Sequence, residues 1–134
     1  MSASFVQRLT DFLDQSPTPF HAVAAMSRKL TESGFEQLSD SQSWDLEEGG
    51  RYFVTRNDSA IIAFTKGRGS LFNDGIRVAG AHTDSPCLKL KPTPSIHKKG
   101  YVQLGVEVYG GALLNPWFDR DLSITGRVMI KEPS

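Results

Sequence analysis

A chain of 134 residues is long enough for one modest domain with its own core, and 39% hydrophobic with 22% charged residues is a globular composition. Lysine plus arginine equals aspartate plus glutamate, 15 against 15, so no net field draws the chain to nucleic acid or to an anionic membrane. No apolar run approaches the length of a membrane span, and a single cysteine, Cys87, rules out an internal disulfide.

The N-terminal stretch MSASFVQRLTDFLDQ carries charges inside its apolar pattern, unlike a secretory leader. Together with the cysteine count this predicts a reducing, cytoplasmic setting. Phe5, Val6, Leu9, Phe12 and Leu13 recur at helical spacing, and Ser4 with Gln7 makes a capping-box pattern. The spacing predicts an amphipathic helix over 4–15, stopped at Ser16-Pro17. A second helix is expected at once, with Thr18 as its cap and Pro19 at its first position, where a missing N–H costs nothing. Phe20, Val23, Ala24 and Leu30 give it an apolar face. Gly34 is placed to end it in the left-handed conformation, with Phe35 folding back.

After Gly49-Gly50 the period changes. RYFVTR and AIIAFT are short runs of β-branched and aromatic residues around the turn residues Asn57-Asp58-Ser59, which predicts a hairpin. KGRGS and NDG read as turns, and IRVAGAH as a third strand. YVQLGVEVY alternates through Val102, Leu104, Val106 and Val108, and LSITGRVMI through Leu122, Ile124, Val128 and Ile130, so both read as strands. The chain closes on KEPS with no helix after these strands to cover one face of a sheet.

The chemistry concentrates in VAGAHTDSP, residues 78–86. Residues two apart in a strand point to one side, so His82 and Asp84 are expected on a common face at the strand's carboxyl end, where α/β sheets bind ligands. A metal-ligating imidazole usually gives its other N–H to a carboxylate, which fixes tautomer and ring orientation. His-x-Asp suits that arrangement. Pro86 ends the ladder. Taken alone, the motif leaves other readings open. His82 could be a hydrogen-bonded structural residue. A nucleophile triad through the adjacent Ser85 lacks a strand-to-helix elbow. Cys87 could serve as a thiolate, but it sits between apolar residues like a small core side chain.

SPTPFHAV at 16–23, VAGAHTDSPCLKLKP at 78–92 and YGGALLNPWFDRDLSITGRV at 109–128 together resemble the M18 family of metallo-aminopeptidases, which includes aspartyl aminopeptidases, and the bacterial branch in particular. The segments occur in the family's order and run through essentially the whole chain. One departure is Gly110-Gly111-Ala112-Leu113, where many members have Gly-Gly-Gly-Leu; it touches a strand connection and not a ligand. The resemblance implies an α/β fold: residues 1–92 as the amino-terminal part of an α/β/α catalytic domain, and residues 93–134 as the start of an inserted β-rich domain used for subunit contacts. It implies removal of N-terminal residues from peptides, acidic ones first, by two bridged zinc ions, and assembly into a homo-oligomer, a dodecamer. By motif position His82 would be a metal ligand, and Asp84 a catalytic residue acting as its carboxylate partner. The bridging aspartate, the glutamate base and the remaining ligands would lie beyond residue 134, so the chain is expected to be the amino-terminal piece of a longer enzyme.

Other features have blander readings. His21 in TPFHAV is expected as a helix-start residue and His97 in SIHKKG as part of an exposed hairpin turn. Arg120 between Asp119 and Asp121 in WFDRD suits an ion-paired turn or a subunit contact. GRGS at 67–70 has no helix pattern after it, so a phosphate loop is not expected. Lys89, Lys91, Lys98 and Lys99 suit a solvated surface. The rival reading of the whole chain is a non-catalytic self-association module, favoured by the alternating strands after residue 100.

Overall fold

The computed structural model describes residues 4–132, so the last two residues of KEPS lie outside the described residues. The chain divides into two compact units, residues 1–83 with 125–134, and residues 84–124. The fold class is mixed α/β, as expected.

In the first unit, α1 (Phe5–Asp14) starts on Ser4, whose Oγ accepts from the Gln7 N–H at 3.2 Å. The Gln7 side chain turns to Asp11, donating from Nε2 at 2.7 Å. Helix α2 (Pro19–Glu32) has Thr18 as N-cap and Pro19 in its first turn. Its end follows the Schellman pattern: Gly34 (φ +80°) donates to the Thr31 carbonyl and Phe35 folds back to the Leu30 carbonyl, each at 3.0 Å. Only glycine adopts that φ without a Cβ penalty. Replacing Thr18 by alanine removes the acceptor for an orphan N–H and is expected to cost about 1 kcal/mol, read as a lowered urea midpoint; Thr18→Ser should be nearly neutral.

Strands β1 (Glu36–Gln37), β2 (Arg51–Arg56) and β3 (Ala60–Thr65) form a sheet in that order, with β1–β2 parallel and β2–β3 antiparallel. The expected hairpin is present. Asn57 (φ +51°) and Asp58 (φ +52°) turn it in the left-handed region, where short polar side chains are tolerated. Tyr52 lies on Phe64 with ring centroids 5.6 Å apart, and its hydroxyl accepts from the Glu47 N–H at 2.9 Å. Strand alternation leaves Phe53 for the opposite face. Phe53 is fully buried, and Ala22, Val23 and Ala25 on α2 complete the described core with Tyr52. The apolar stripe of α1 is not part of it, since Phe5, Val6, Leu9 and Leu13 are exposed.

A four-residue helix, α3 (Leu71–Asp74), follows GRGS where only turns were expected; Ser70 starts it, accepting from the Phe72 N–H at 3.3 Å. The expected strand over 122–130 is absent, and Ile124, Val128, Met129 and Ile130 are exposed. A strand exists through its ladder, and no described strand pairs with this stretch. Arg127 fixes the segment instead. Its guanidinium donates to the Asn57 carbonyl and side-chain oxygens at 3.2 and 3.3 Å and lies 4.1 Å from the Phe20 ring centroid.

The second unit is a ribbon of β4 (Cys87–Lys98) and β5 (Tyr101–Tyr109), antiparallel around Lys99-Gly100, both at positive φ. The second strand has the bounds expected from its alternation. The first was not expected as a strand, and the turn lies later than His97, which pairs with Val102. Pairing shifts register between Leu90 and Ser95. Pro92 and Pro94 lie in that interval, and a residue without an N–H cannot donate to the ladder. Gly105 is buried where the ribbon is tightest: a Cβ there would meet Ile96 Cδ1 at 3.3 Å and the Pro94 carbonyl at 3.4 Å.

Candidate functional site

Residues 76–86 carry neither helix nor strand, so the expected strand IRVAGAH is corrected to a loop. Its alternating apolar residues find no described ladder partner, and Ile76 and Val78 stand 74% and 84% exposed. Without a strand here, the two-residue periodicity does not put His82 and Asp84 on one face. His82 is exposed at the end of the loop, in the first unit. Asp84, half-buried, opens the second. Thr83 between them is an anchor: its hydroxyl donates to the Ser59 carbonyl at 2.7 Å, tying the loop to the β2–β3 turn.

The Asp84 carboxylate accepts a hydrogen bond on Oδ2 from the Tyr109 hydroxyl at 2.6 Å, the short range of a charge-assisted bond. Tyr109 ends β5 opposite Cys87 of β4, and the Lys89 ammonium lies 5.5 Å from its ring centroid. The hydrogen bond to Asp84, and then the Asp84 charge, push the Tyr109 phenol above its ordinary value of 10.0, because ionisation would break the bond and set two anions side by side. The folded state therefore keeps this contact below that ordinary value and loses it as the pH climbs through the raised one. Sequence reasoning missed Tyr109. The available signal was a hydroxyl-bearing residue closing an alternating strand immediately before Gly110-Gly111.

No three His, Cys, Asp or Glu residues among those described cluster to hold a metal ion. His21 lies in the first turn of α2, with Nδ1 2.7 Å from the hydroxyl of the N-cap Thr18, in keeping with its helix-start reading. His97 is exposed within β4. Arg120 donates to the Pro116 carbonyl at 3.3 Å, a backbone contact at the WFDRD turn. No helix among the described residues is long and apolar enough to cross a membrane.

Residues 12–134 match the family described as aminopeptidase I zinc metalloprotease (M18). The chain is 57% identical over 131 residues to a protein of Pseudomonas fluorescens named "Probable M18 family aminopeptidase 2", covering 98% of this chain and 30% of that one. The same name is carried by a protein of Pseudomonas aeruginosa, 56% identical over 131 residues, again across 98% of this chain and 30% of the relative. Among solved structures, Chaetomium thermophilum mApe1 superposes with a TM-score of 0.79 at 45% identity, over 87% of this chain and 27% of that one. The S. cerevisiae mApe1 dodecamer gives a TM-score of 0.78 at 33% identity, over 88% and 28% respectively. The chain thus spans about 30% of the length of the curated relatives it matches. With the family match running through residues 12–134, this chain belongs to the M18 family.

Proposed function

We propose that this chain is the amino-terminal part of a zinc-dependent aminopeptidase that hydrolyses the first peptide bond of peptides, with acidic N-terminal residues as the preferred substrates and two zinc ions per site. The observation that carries the reading is the family match, which takes in the AGAHTDSP loop and both units. In this reading residues 1–92 belong to the catalytic domain and residues 93–134 open a β-rich contact domain.

The donors on this chain suit zinc in kind: an exposed imidazole at His82 and a carboxylate two residues on. In number they fall short of the roughly three protein ligands a catalytic zinc takes, so the proposal draws the rest from the complete protein. Bound zinc supplies Lewis acidity at the scissile carbonyl and a nucleophile at neutral pH. The chain's own residues do the holding. His82 would offer a ring nitrogen, the Thr83 hydroxyl pins the loop beside it, and Asp84 would serve as the carboxylate partner of a metal-bound imidazole.

Self-association belongs to the same proposal. Val102, Leu104, Val106 and Val108 leave an apolar row of β5 exposed, and an S. cerevisiae neighbour is a dodecamer. That row also favours the second reading, a non-catalytic association module working in the cytoplasm without nucleic acid or membrane.

The test is release of N-terminal residues from acidic and neutral aminoacyl peptides. The complete protein should turn over acidic substrates faster, lose the activity to a chelator and regain it with zinc. Residues 1–134 alone should release nothing. Turnover by the isolated chain would overturn the partial-site reading. Chelator-resistant activity would overturn zinc dependence, and faster release of neutral residues would overturn the acidic preference.

A further inference from the structure

We infer that Tyr109 is a positioning residue for the Asp84 carboxylate; the inference rests on the reading of Asp84 as the partner of a metal-ligating imidazole. A carboxylate accepts hydrogen bonds at both oxygens. A hydroxyl held on Oδ2 at 2.6 Å fixes the plane of the group and so sets the direction in which Oδ1 presents its lone pairs. Removing it takes away one restraint on the direction of the carboxylate.

The hydroxyl can do this because both ends of the hydrogen bond are pinned by the ribbon. On one side, Asp84 lies three residues before Cys87, and Cys87 is in register with Tyr109. On the other, Tyr109 is followed by Gly110 at φ +67°, whose missing Cβ would stand 3.5 Å from Pro86 Cγ. A side chain at 110 would be strained by that backbone conformation, and its Cβ would rest on Pro86 in ordinary van der Waals contact. The Lys89 ammonium lies against the Tyr109 ring, 5.5 Å from its centroid. The bond between Asp84 and Tyr109 thus joins two chain segments that the β4–β5 pairing already holds side by side. A hydrogen bond to the partner of a metal ligand sets the ligand's orientation when its geometry is imposed by the fold.

Tyr109→Phe in the complete protein tests this, because it keeps the ring and its packing and removes only the donor. Zinc affinity, measured by competition with a chelator, should fall about 10-fold, the lower end of what loss of a contact that orients a ligand costs. kcat should fall with KM little changed, and the melting temperature of the zinc-free protein should match the parent. Asp84→Asn should lower zinc affinity at least as much, and the double variant Asp84→Asn/Tyr109→Phe should be no worse than Asp84→Asn alone, because the hydroxyl acts only through the carboxylate. If Asp84→Asn weakens zinc binding while Tyr109→Phe leaves it at the parental value, the positioning role is overturned and the metal-site reading stands. Losses that add in the double variant also overturn it, since Tyr109 would then act independently of Asp84. So does a lower melting temperature of the zinc-free Tyr109→Phe protein with unchanged zinc affinity, which would make the bond a structural one. If Asp84→Asn itself keeps parental zinc affinity and kcat, the reading of Asp84 fails and takes the inference with it.

Discussion

His82→Ala in the complete protein is expected to lower zinc occupancy directly and to leave almost no turnover. The substitution removes a ring nitrogen that nothing nearby in sequence replaces: the other histidines, His21 and His97, sit in the first turn of α2 and inside β4. Asp84→Asn is expected to be milder. It keeps the shape and loses the charge that the proposed function assigns to orienting the imidazole, a change that typically costs about 10–100-fold in metal affinity or activity. The informative quantity is therefore the order of the two variants. Zinc content by atomic emission after dialysis should fall further in His82→Ala than in Asp84→Asn, and steady-state rates should fall in the same order. His82 is exposed and makes no contribution to the described core, so its removal should leave the far-UV spectrum unchanged. Full zinc and near-normal turnover in His82→Ala would make His82 a structural residue and end the metal-site reading of AGAHTDSP.

Phe53→Ala carries the largest expected cost in stability. Phe53 is the one large side chain among the described residues with no exposed surface. It sits at the centre of the three-stranded sheet, in register with Gln37 of β1 on one side and Ala63 of β3 on the other, and its carbonyl accepts from the Leu38 N–H at 2.8 Å. Truncating a buried phenylalanine to alanine loses the transfer free energy of the ring and leaves a cavity, together about 3–5 kcal/mol. A domain of this size has a stability of about 5–15 kcal/mol, so the loss is a substantial share of it. Phe53→Leu, which refills most of the space, should cost less than about 1.5 kcal/mol. Phe72→Ala is the matched control: Phe72 is 100% exposed, and its removal should stay within about 0.5 kcal/mol of the parent. Urea unfolding followed by far-UV circular dichroism orders the three. Equal midpoints for Phe53→Ala and Phe72→Ala would show that the sheet is not the core of the first unit.

The residue pattern by itself determined the elements whose signals are local. Both long helices follow from apolar spacing plus chemistry at their ends: a threonine that satisfies an orphan N–H, a proline where no N–H is needed, a glycine where the chain turns left-handed. The β2–β3 hairpin follows from its turn residues, and β5 from clean alternation. The three matched segments determined the family, because several long motifs in order are far more specific than His-x-Asp alone. Tertiary structure decided everything that depends on a partner. IRVAGAH and LSITGRVMI have strand composition and no described strand to pair with, and a strand's hydrogen bonds are made by its neighbour, not by itself. CLKLKPTPSIHK reads poorly as a strand because of its prolines, yet β5 holds both ends of it and the prolines fall in the register shift. The hydrogen bond between Asp84 and Tyr109 joins residues 25 apart in the chain. No periodicity within either segment encodes it; it exists because the ribbon's register brings the end of β5 back to the start of β4, and only pairing across the two strands fixes that register.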